Sequence, residues 1–147
     1  LTTEQLGAVT STQLRALSDG SLQSLTSTQL QALSIDQVRD LTPAQFGILD
    51  PAQVRALRTD QIASLRDTEL QELTTAQIEA MTTAQIAAVS YVNIHKIAPA
   101  SIGALLTDQL VVLSTDQLSG FVPAQISALS ATQVTALSQE QKTALGL

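Results

Sequence analysis

The sequence TTAQIEAM at residues 74–81 is followed directly by TTAQIAAV at residues 82–89, so one eight-residue pattern is written twice. The same register runs without an insertion from Thr2 to Leu145, which gives eighteen repeats. We number the places of each repeat one to eight, so that Thr74 is place one of repeat ten. Place eight is apolar in every repeat, and place five is apolar in all but one, where it is Lys142. A fixed period of this kind indicates a structural repeat.

Places one to four of most repeats read Thr/Ser-x-x-Gln, which is the capping-box pattern at the start of a helix. The hydroxyl accepts a hydrogen bond from the third helical N–H, and the Gln side chain accepts one from the cap N–H. Acids are frequent at place three, where they complement the helix dipole. All four prolines stand at place two, the first helical position: Pro43, Pro51, Pro99 and Pro123. These signals begin a helix at the same phase in each repeat.

The pattern fits neither one long helix nor a strand. Prolines break a continuous helix, and apolar steps of three and five average four, outside the periods that coiled coils sustain. In a strand the odd step would put places five and eight on opposite faces, whereas a short helix puts them on one face. We therefore predict an all-α fold, an α-solenoid of very short capped helices, one per repeat and each about one and a half turns long. Whether two or three helices complete one superhelical coil stays open.

The array has no linker and no shift in composition, so we expect residues 1–147 to form a single octapeptide-repeat domain, an excerpt of a longer array. Isolated helices this short are marginal in water, so each repeat must be stabilised by neighbouring repeats of its own chain. Ala at place seven lets adjacent helices approach closely. The array carries no polar capping repeats, and we expect its ends to expose Leu and Ile and to self-associate end to end.

Composition narrows the functional classes. The net charge is −6 with no basic patch, so we expect no nucleic-acid partner. No apolar run approaches 18 residues, so we expect no membrane insertion. The sequence has no cysteine and one histidine, His95, and its glycines are scattered rather than grouped in a phosphate-binding loop. We therefore predict no catalytic, cofactor-binding or metal-binding residues, and no enzymatic activity.

Two interruptions of the repeat are candidates for sites. Arg58 and Arg66 occupy successive place-one positions, which indicates either a charged docking site or a solvated outer face with lost caps. Repeats twelve to sixteen are the least regular, and repeat twelve contains the only Tyr and the only His. Either these irregular residues reflect sequence divergence of a repeat whose core places are intact, or they form a contact site for a protein or surface ligand. They are Tyr91, Asn93, His95 and Lys96.

The strings LTTAQI at 73–78 and LTPAQF at 41–46 resemble the Leu-Thr-x-x-Gln octapeptide arrays of very large bacterial surface or secreted proteins. Proteins of that group are often described as adhesins, calcium-binding repeat proteins or haem-utilisation proteins. The resemblance implies an extracellular or cell-surface location in a bacterium. It does not imply a haem site here, because only His95 and Met81 could ligate iron and neither recurs.

Three functional hypotheses follow. The first is a structural spacer or stalk segment of a large extracellular repeat protein, since a uniform array needs only stacking between repeats. The second is an adhesive binding surface for a ligand or protein, centred on the irregular repeats near residues 90–106. The third is ice binding by a Thr array, suggested by the Thr pairs at 2–3, 74–75 and 82–83 and weakened because place-one hydroxyls are engaged as caps.

Overall fold

The computed structural model describes residues 2–147 and confirms the all-α solenoid. In that range seventeen α-helices of five to seven residues and one 3-10 helix follow one another, and no strand occurs. The α-helices are Thr3–Gly7, Ser11–Arg15, Asp19–Gln23, Ser27–Ala32, Ile35–Asp40, Pro43–Gly47, Pro51–Ala56, Thr59–Ala63, Asp67–Gln71, Thr75–Ala80, Thr83–Ala88, Pro99–Gly103, Thr107–Val111, Thr115–Ser119, Pro123–Ala128, Ala131–Ala136 and Gln139–Leu145.

Every α-helix begins at place two, as the capping pattern predicts. In repeat ten the Thr74 hydroxyl accepts from the Gln77 N–H at 3.2 Å, and Gln77 Oε1 accepts from the Thr74 N–H at 2.9 Å. A side-chain oxygen at place one caps the helix in twelve repeats: Thr2, Thr10, Ser18, Thr26, Ser34, Thr42, Asp50, Thr74, Thr82, Ser114, Ser130 and Ser138. The four prolines are each the first residue of a helix.

Repeat twelve is the exception, and there the prediction of one and a half α-helical turns is wrong. A turn at 91–93 leads into a 3-10 helix over Ile94–Lys96. The Ser90 hydroxyl accepts from the Val92 N–H instead of capping an α-helix. Asn93 stands at place four, and its amide is one methylene shorter than that of Gln, so it does not return the hydrogen bond that closes a capping box.

Places five and eight form the core, as predicted. Residues at these places are buried from Leu22 through Phe121, and the core is aliphatic apart from Phe46 and Phe121. Toward the two ends some of these places are only partly buried, as in Val9 and Leu129. The core is therefore a thin apolar column that runs through the length of the array.

Most helices pack against the helix three repeats further on, for example Pro51–Ala56 against Thr75–Ala80. Place six of one repeat faces place seven of the other, and there is little space between them. A Cβ added at Gly103 would lie only 2.8 Å from the Ala128 carbonyl oxygen. Side-chain hydrogen bonds also join many repeats to the repeat four positions earlier, as in Gln77 to Phe46. One superhelical turn therefore holds between three and four repeats, which answers the question that the sequence left open.

Candidate functional site

The glutamine at place four connects two helices. Gln77 Oε1 accepts from the cap N–H of its own helix, while Nε2 donates to the carbonyls of Phe46 at 3.2 Å and Leu49 at 2.7 Å. Those carbonyls lie at the end of the helix four repeats earlier, where helical carbonyls lack partners within the helix. One amide therefore satisfies the beginning of one helix and the end of another.

The same bond recurs along the array, and we call the series the glutamine ladder. From repeat five onward, every place-four glutamine in the described chain donates to the repeat four positions earlier. These residues are Gln37, Gln45, Gln53, Gln61, Gln77, Gln85, Gln109, Gln117, Gln125, Gln133 and Gln141. All but Gln141 are buried. Because both the oxygen and the nitrogen of each buried amide are hydrogen-bonded, these side chains fix the register of stacking and also stabilise it.

The capping-box pattern predicts only the first of these bonds, and the bond from Nε2 to the earlier repeat is not predicted by it. A capping box accepts Glu or Gln, because only an acceptor oxygen is needed. Place four nevertheless holds Gln in fourteen repeats and Glu in one, at Glu69. This preference for Gln over Glu indicates that the place-four side chain also donates a hydrogen bond, because an ionised carboxylate cannot donate.

Glu69 is the first interruption of the ladder, and Arg66 compensates for it. Glu69 is fully buried, and its carboxylate accepts from Arg66 Nη2 at 3.0 Å and from the Thr68 hydroxyl at 2.9 Å. The same Nη2 atom donates to the carbonyl of Arg39, in the repeat four positions earlier. The Arg66 guanidinium thus supplies the donor that a glutamine would have provided.

The electrostatics of this pair agree with its geometry. Burial by itself raises the pKa of the Glu69 carboxyl. Hydrogen bonds from the Arg66 side chain, the Arg66 backbone N–H and Thr68 outweigh the burial, so the pKa lies below its ordinary value. Glu69 is therefore a buried carboxylate held in its charged form.

Arg58 makes similar contacts without replacing a ladder residue. It donates to the carbonyls of Gln31 and Leu33 and pairs with Asp60 at 3.0 Å. The neighbouring Gln61 keeps its own ladder bonds. The hydroxyl caps are indeed lost at both arginines, but both side chains reach back to the preceding turn. Stacking accounts for these two residues without a docked ligand.

Repeats twelve and thirteen form the second interruption. Ser101 is buried and donates to the carbonyl of Leu73 at 2.7 Å, so a single short bond replaces the ladder bond. Asn93 is half-buried, and its side chain makes no hydrogen bond to repeat eight in the described structure. The ladder is therefore weakest in these two successive repeats.

The four residues predicted as a contact site do not converge on one pocket. Tyr91 is 59% exposed and lines an open groove of about 310 Å³ together with Val112. Asn93 lines a different groove, of about 570 Å³, with Arg66 and Glu69. The other two predicted residues are half-buried in the 3-10 helix.

Within that 3-10 helix the two side chains differ. Lys96 forms an ion pair with Asp67 at 3.3 Å, which links repeat twelve to repeat nine. His95 lies beside it and does not share the groove that Tyr91 lines.

Large exposed apolar side chains concentrate in repeats twelve to sixteen. Of the eight in the described residues, six lie there: Tyr91, Val92, Leu106, Val111, Val112 and Val122. We call these six residues the apolar patch residues. They occupy places that are mostly polar residues, Ala, Gly or Pro in the other repeats, so the excess apolar surface arises from departures from the repeat pattern.

Among the described residues, no group of three or more His, Cys, Asp or Glu side chains is arranged to hold a metal ion. None of the described helices is long and apolar enough to cross a membrane. No protein family, curated protein or solved structure matches this chain.

Proposed function

We propose that this chain is a structural spacer or stalk segment of a large repeat protein. The observation that supports the proposal is the glutamine ladder, in which the repeated polar side chain is used for stacking from repeat five onward. The repeated apolar places are likewise used in the core. A chain whose consensus residues are all committed to stacking suits a role in which length and stiffness are the useful properties.

We further propose an extracellular or cell-surface location in a bacterium. Support comes from the resemblance of the Leu-Thr-x-x-Gln repeats to arrays in large bacterial surface and secreted proteins. The absence of cysteine is compatible with that location. The direct test is to label this segment of the parent protein on intact cells with a reagent that does not enter them. Labelling is expected if the segment lies at the cell surface.

The spacer role predicts that length increases with repeat number. Four consensus repeats inserted between residues 81 and 82 add about one superhelical turn, because a turn holds between three and four repeats. Helices pack about 8–10 Å apart, so fluorophores at the two ends should separate by about that much more. An insertion of 30 residues of the same composition breaks the register and serves as the control. An unchanged end-to-end distance after the in-register insertion would contradict the role.

A second candidate function is supported by the apolar patch residues, which favour a protein-binding surface on repeats twelve to sixteen. Replacing Tyr91 by Thr and Val112 by Ala restores the repeat pattern in the groove that they line. If the surface is adhesive, this double variant should lose cell binding, whereas Ile35→Thr, which removes an exposed apolar residue elsewhere, should not. Equal adhesion of both variants would exclude this function.

A further inference from the structure

The glutamine ladder is uneven where repeats eleven to fourteen stack on repeats seven to ten. Gln85 in repeat eleven and Gln109 in repeat fourteen each donate to at least two carbonyls of the repeat four positions earlier. Ser101 in repeat thirteen makes one such bond, and Asn93 in repeat twelve makes none in the described structure. This junction between two turns is therefore fully bonded at its first and last repeats only.

The gap at repeat twelve leaves two backbone groups unpaired. In an intact repeat the place-four amide joins the place-one N–H to the place-eight carbonyl 28 residues earlier, as Gln85 joins Thr82 to Leu57. The corresponding groups here are the Ser90 N–H and the Leu65 carbonyl, and neither has a hydrogen-bond partner among the described residues. Leu65 is buried, so opening the junction at this point lets water reach a carbonyl that close packing leaves unsatisfied.

The two intact links lie on the same side of the superhelix. Gln85 belongs to the helix Thr83–Ala88 and Gln109 to the helix Thr107–Val111, and these two helices pack against each other. Repeats twelve and thirteen complete the turn between them. The bonded and the unbonded parts of the junction are therefore on different sides, which is the arrangement of a hinge.

The unbonded side coincides with the earlier interruption of the ladder. The helix Asp67–Gln71 of repeat nine packs against the 3-10 helix Ile94–Lys96 of repeat twelve. Glu69 and Asn93, the place-four residues of these two repeats, line one groove of about 570 Å³. The groove beside the intact ladder residue of repeat fifteen is smaller, about 310 Å³.

We propose that this junction is a hinge at which the array bends in one preferred direction. The two turns stay joined along Gln85 and Gln109, and they separate on the side of Asn93, which widens the groove of about 570 Å³. An array with an unbroken ladder has no such preferred direction, because each turn is bonded to the next on every side.

Repeat twelve moves with the turn that follows it. Gln125 donates to the Ile94 and Ile97 carbonyls at 3.1 and 2.7 Å, so repeat twelve is bonded to repeat sixteen. Toward repeat nine its side-chain link is the ion pair of Lys96 with Asp67 at 3.3 Å. Both partners are partly exposed, and such pairs contribute little to stability. The weaker of the two attachments is therefore the one that opens.

The hinge goes beyond the spacer role and does not depend on it. A spacer can be straight, and a hinged array need not be a spacer. The inference rests on hydrogen bonds between inner repeats and on the packing of repeats eleven with fourteen and nine with twelve.

Spin labels on two matched pairs of residues test the hinge by double electron–electron resonance. Ala63→Cys/Val92→Cys places labels across the gap. Ala87→Cys/Asp116→Cys, the control pair, places them across a junction where Gln117 keeps its ladder bonds. Both pairs join place six to place three of the repeat four positions later, all four residues are exposed, and the chain has no cysteine of its own.

We expect the distance distribution across the gap to be at least about twice as broad as that of the control pair, with an added component at longer distance. Asn93→Gln/Ser101→Gln restores the ladder and should narrow the distribution to the width of the control. Conversely, Gln117→Asn/Gln125→Ser copies the gap into repeats fifteen and sixteen and should broaden the distribution of the control pair.

Equal widths for the two label pairs in the original chain would overturn the proposal. An unchanged width in either exchange variant, with circular dichroism showing that the variant is folded, would also overturn it, because the place-four residues would then not determine where the array bends.

Discussion

At the residue scale, the array depends on the difference between an amide and a carboxylate at place four. Both groups can accept from a cap N–H, but only the amide can donate to the preceding turn. The chain contains its own test of this requirement at Glu69, where an arginine supplies the missing donor. A ladder residue is therefore defined by two functions, and the sequence pattern makes only one of them obvious.

Replacing Gln77 by Glu should lower the free energy of unfolding by about 2–4 kcal/mol. The change removes two buried hydrogen bonds and places a carboxylate against the Phe46 and Leu49 carbonyls. The same substitution at Gln5, whose Nε2 has no partner in the described chain, should cost no more than about 0.5 kcal/mol. Urea unfolding of both variants, followed by circular dichroism, compares them, and equal effects would show that the ladder bond contributes nothing.

The two arginines at place one should behave differently. Arg66→Thr leaves Glu69 buried without its charged partner and should destabilise the chain by about 2–3 kcal/mol. Arg58→Thr restores a hydroxyl cap beside an intact Gln61 and should be close to neutral. The double variant Arg66→Thr/Glu69→Gln restores the consensus and should recover the original stability. Thermal unfolding of the three variants tests whether Arg66 compensates for Glu69. If the double variant were no more stable than Arg66→Thr, the two residues would act independently.

Stability should also depend on pH through Glu69. Its pKa is depressed in the folded state, so its contribution is fully present above its ordinary value near 4.5 and is lost as pH falls through the folded pKa. Arg66→Thr/Glu69→Gln has no carboxyl at this place, so it should lose less stability than the original chain below pH 4.5. The free energy of unfolding of both proteins is measured as the pH is lowered, and an equal loss in the two would refute the assignment.

At the element scale, each helix is too short to persist alone, and its two ends are fixed by different means. The beginning is fixed locally by the cap residue and the glutamine oxygen. The end is fixed from a distance, by a glutamine four repeats later. In repeat twelve neither local signal is present, since the Ser90 hydroxyl accepts from the Val92 N–H and Asn93 stands at place four, and there the chain forms a 3-10 helix instead of an α-helix.

Proline should distinguish the beginning of a helix from its interior. Thr75→Pro places proline at the first position of Thr75–Ala80, as four other repeats already do, and should change the free energy of unfolding by less than about 1 kcal/mol. Glu79→Pro lies inside the same helix and should cost about 3 kcal/mol or more. Thermal unfolding measures both, and similar losses would mean that the helix does not begin at place two in solution.

At the scale of the whole molecule, each repeat has neighbours three and four positions away, so stability is distributed along the array. The stability of the array therefore depends on keeping the eight-residue spacing, and not on any particular repeat. A chain built in this way tolerates changes that preserve the eight-residue period.

Deleting residues 74–81 removes one repeat and keeps the register, so the helical signal per residue should be unchanged. Deleting residues 78–81 removes four residues, shifts Gln85 away from the Val54 and Leu57 carbonyls, and deletes the Ile78 and Met81 carbonyls that accept from Gln109. That variant should lose cooperative unfolding and much of its helical signal. Circular dichroism and hydrogen exchange compare the two, and equal tolerance would argue against stacking in register.

The sequence by itself determined where each α-helix begins, which two places face the core and that the chain is an array of about eighteen units. These features depend on interactions within three or four residues, such as the bonds between Thr74 and Gln77, so they can be read from the local pattern. The sequence also located the irregular residues of repeat twelve, but not their division between two grooves.

Only the tertiary structure decided the number of repeats in a turn, the second bond of the glutamines and the partnership of Arg66 with Glu69 and Arg39. The physical reason is distance along the chain. A carbonyl 28 to 31 residues earlier comes within reach of a side chain only after the superhelix has closed one turn. The local pattern specifies the helices, and the stacking of successive turns determines which polar groups meet.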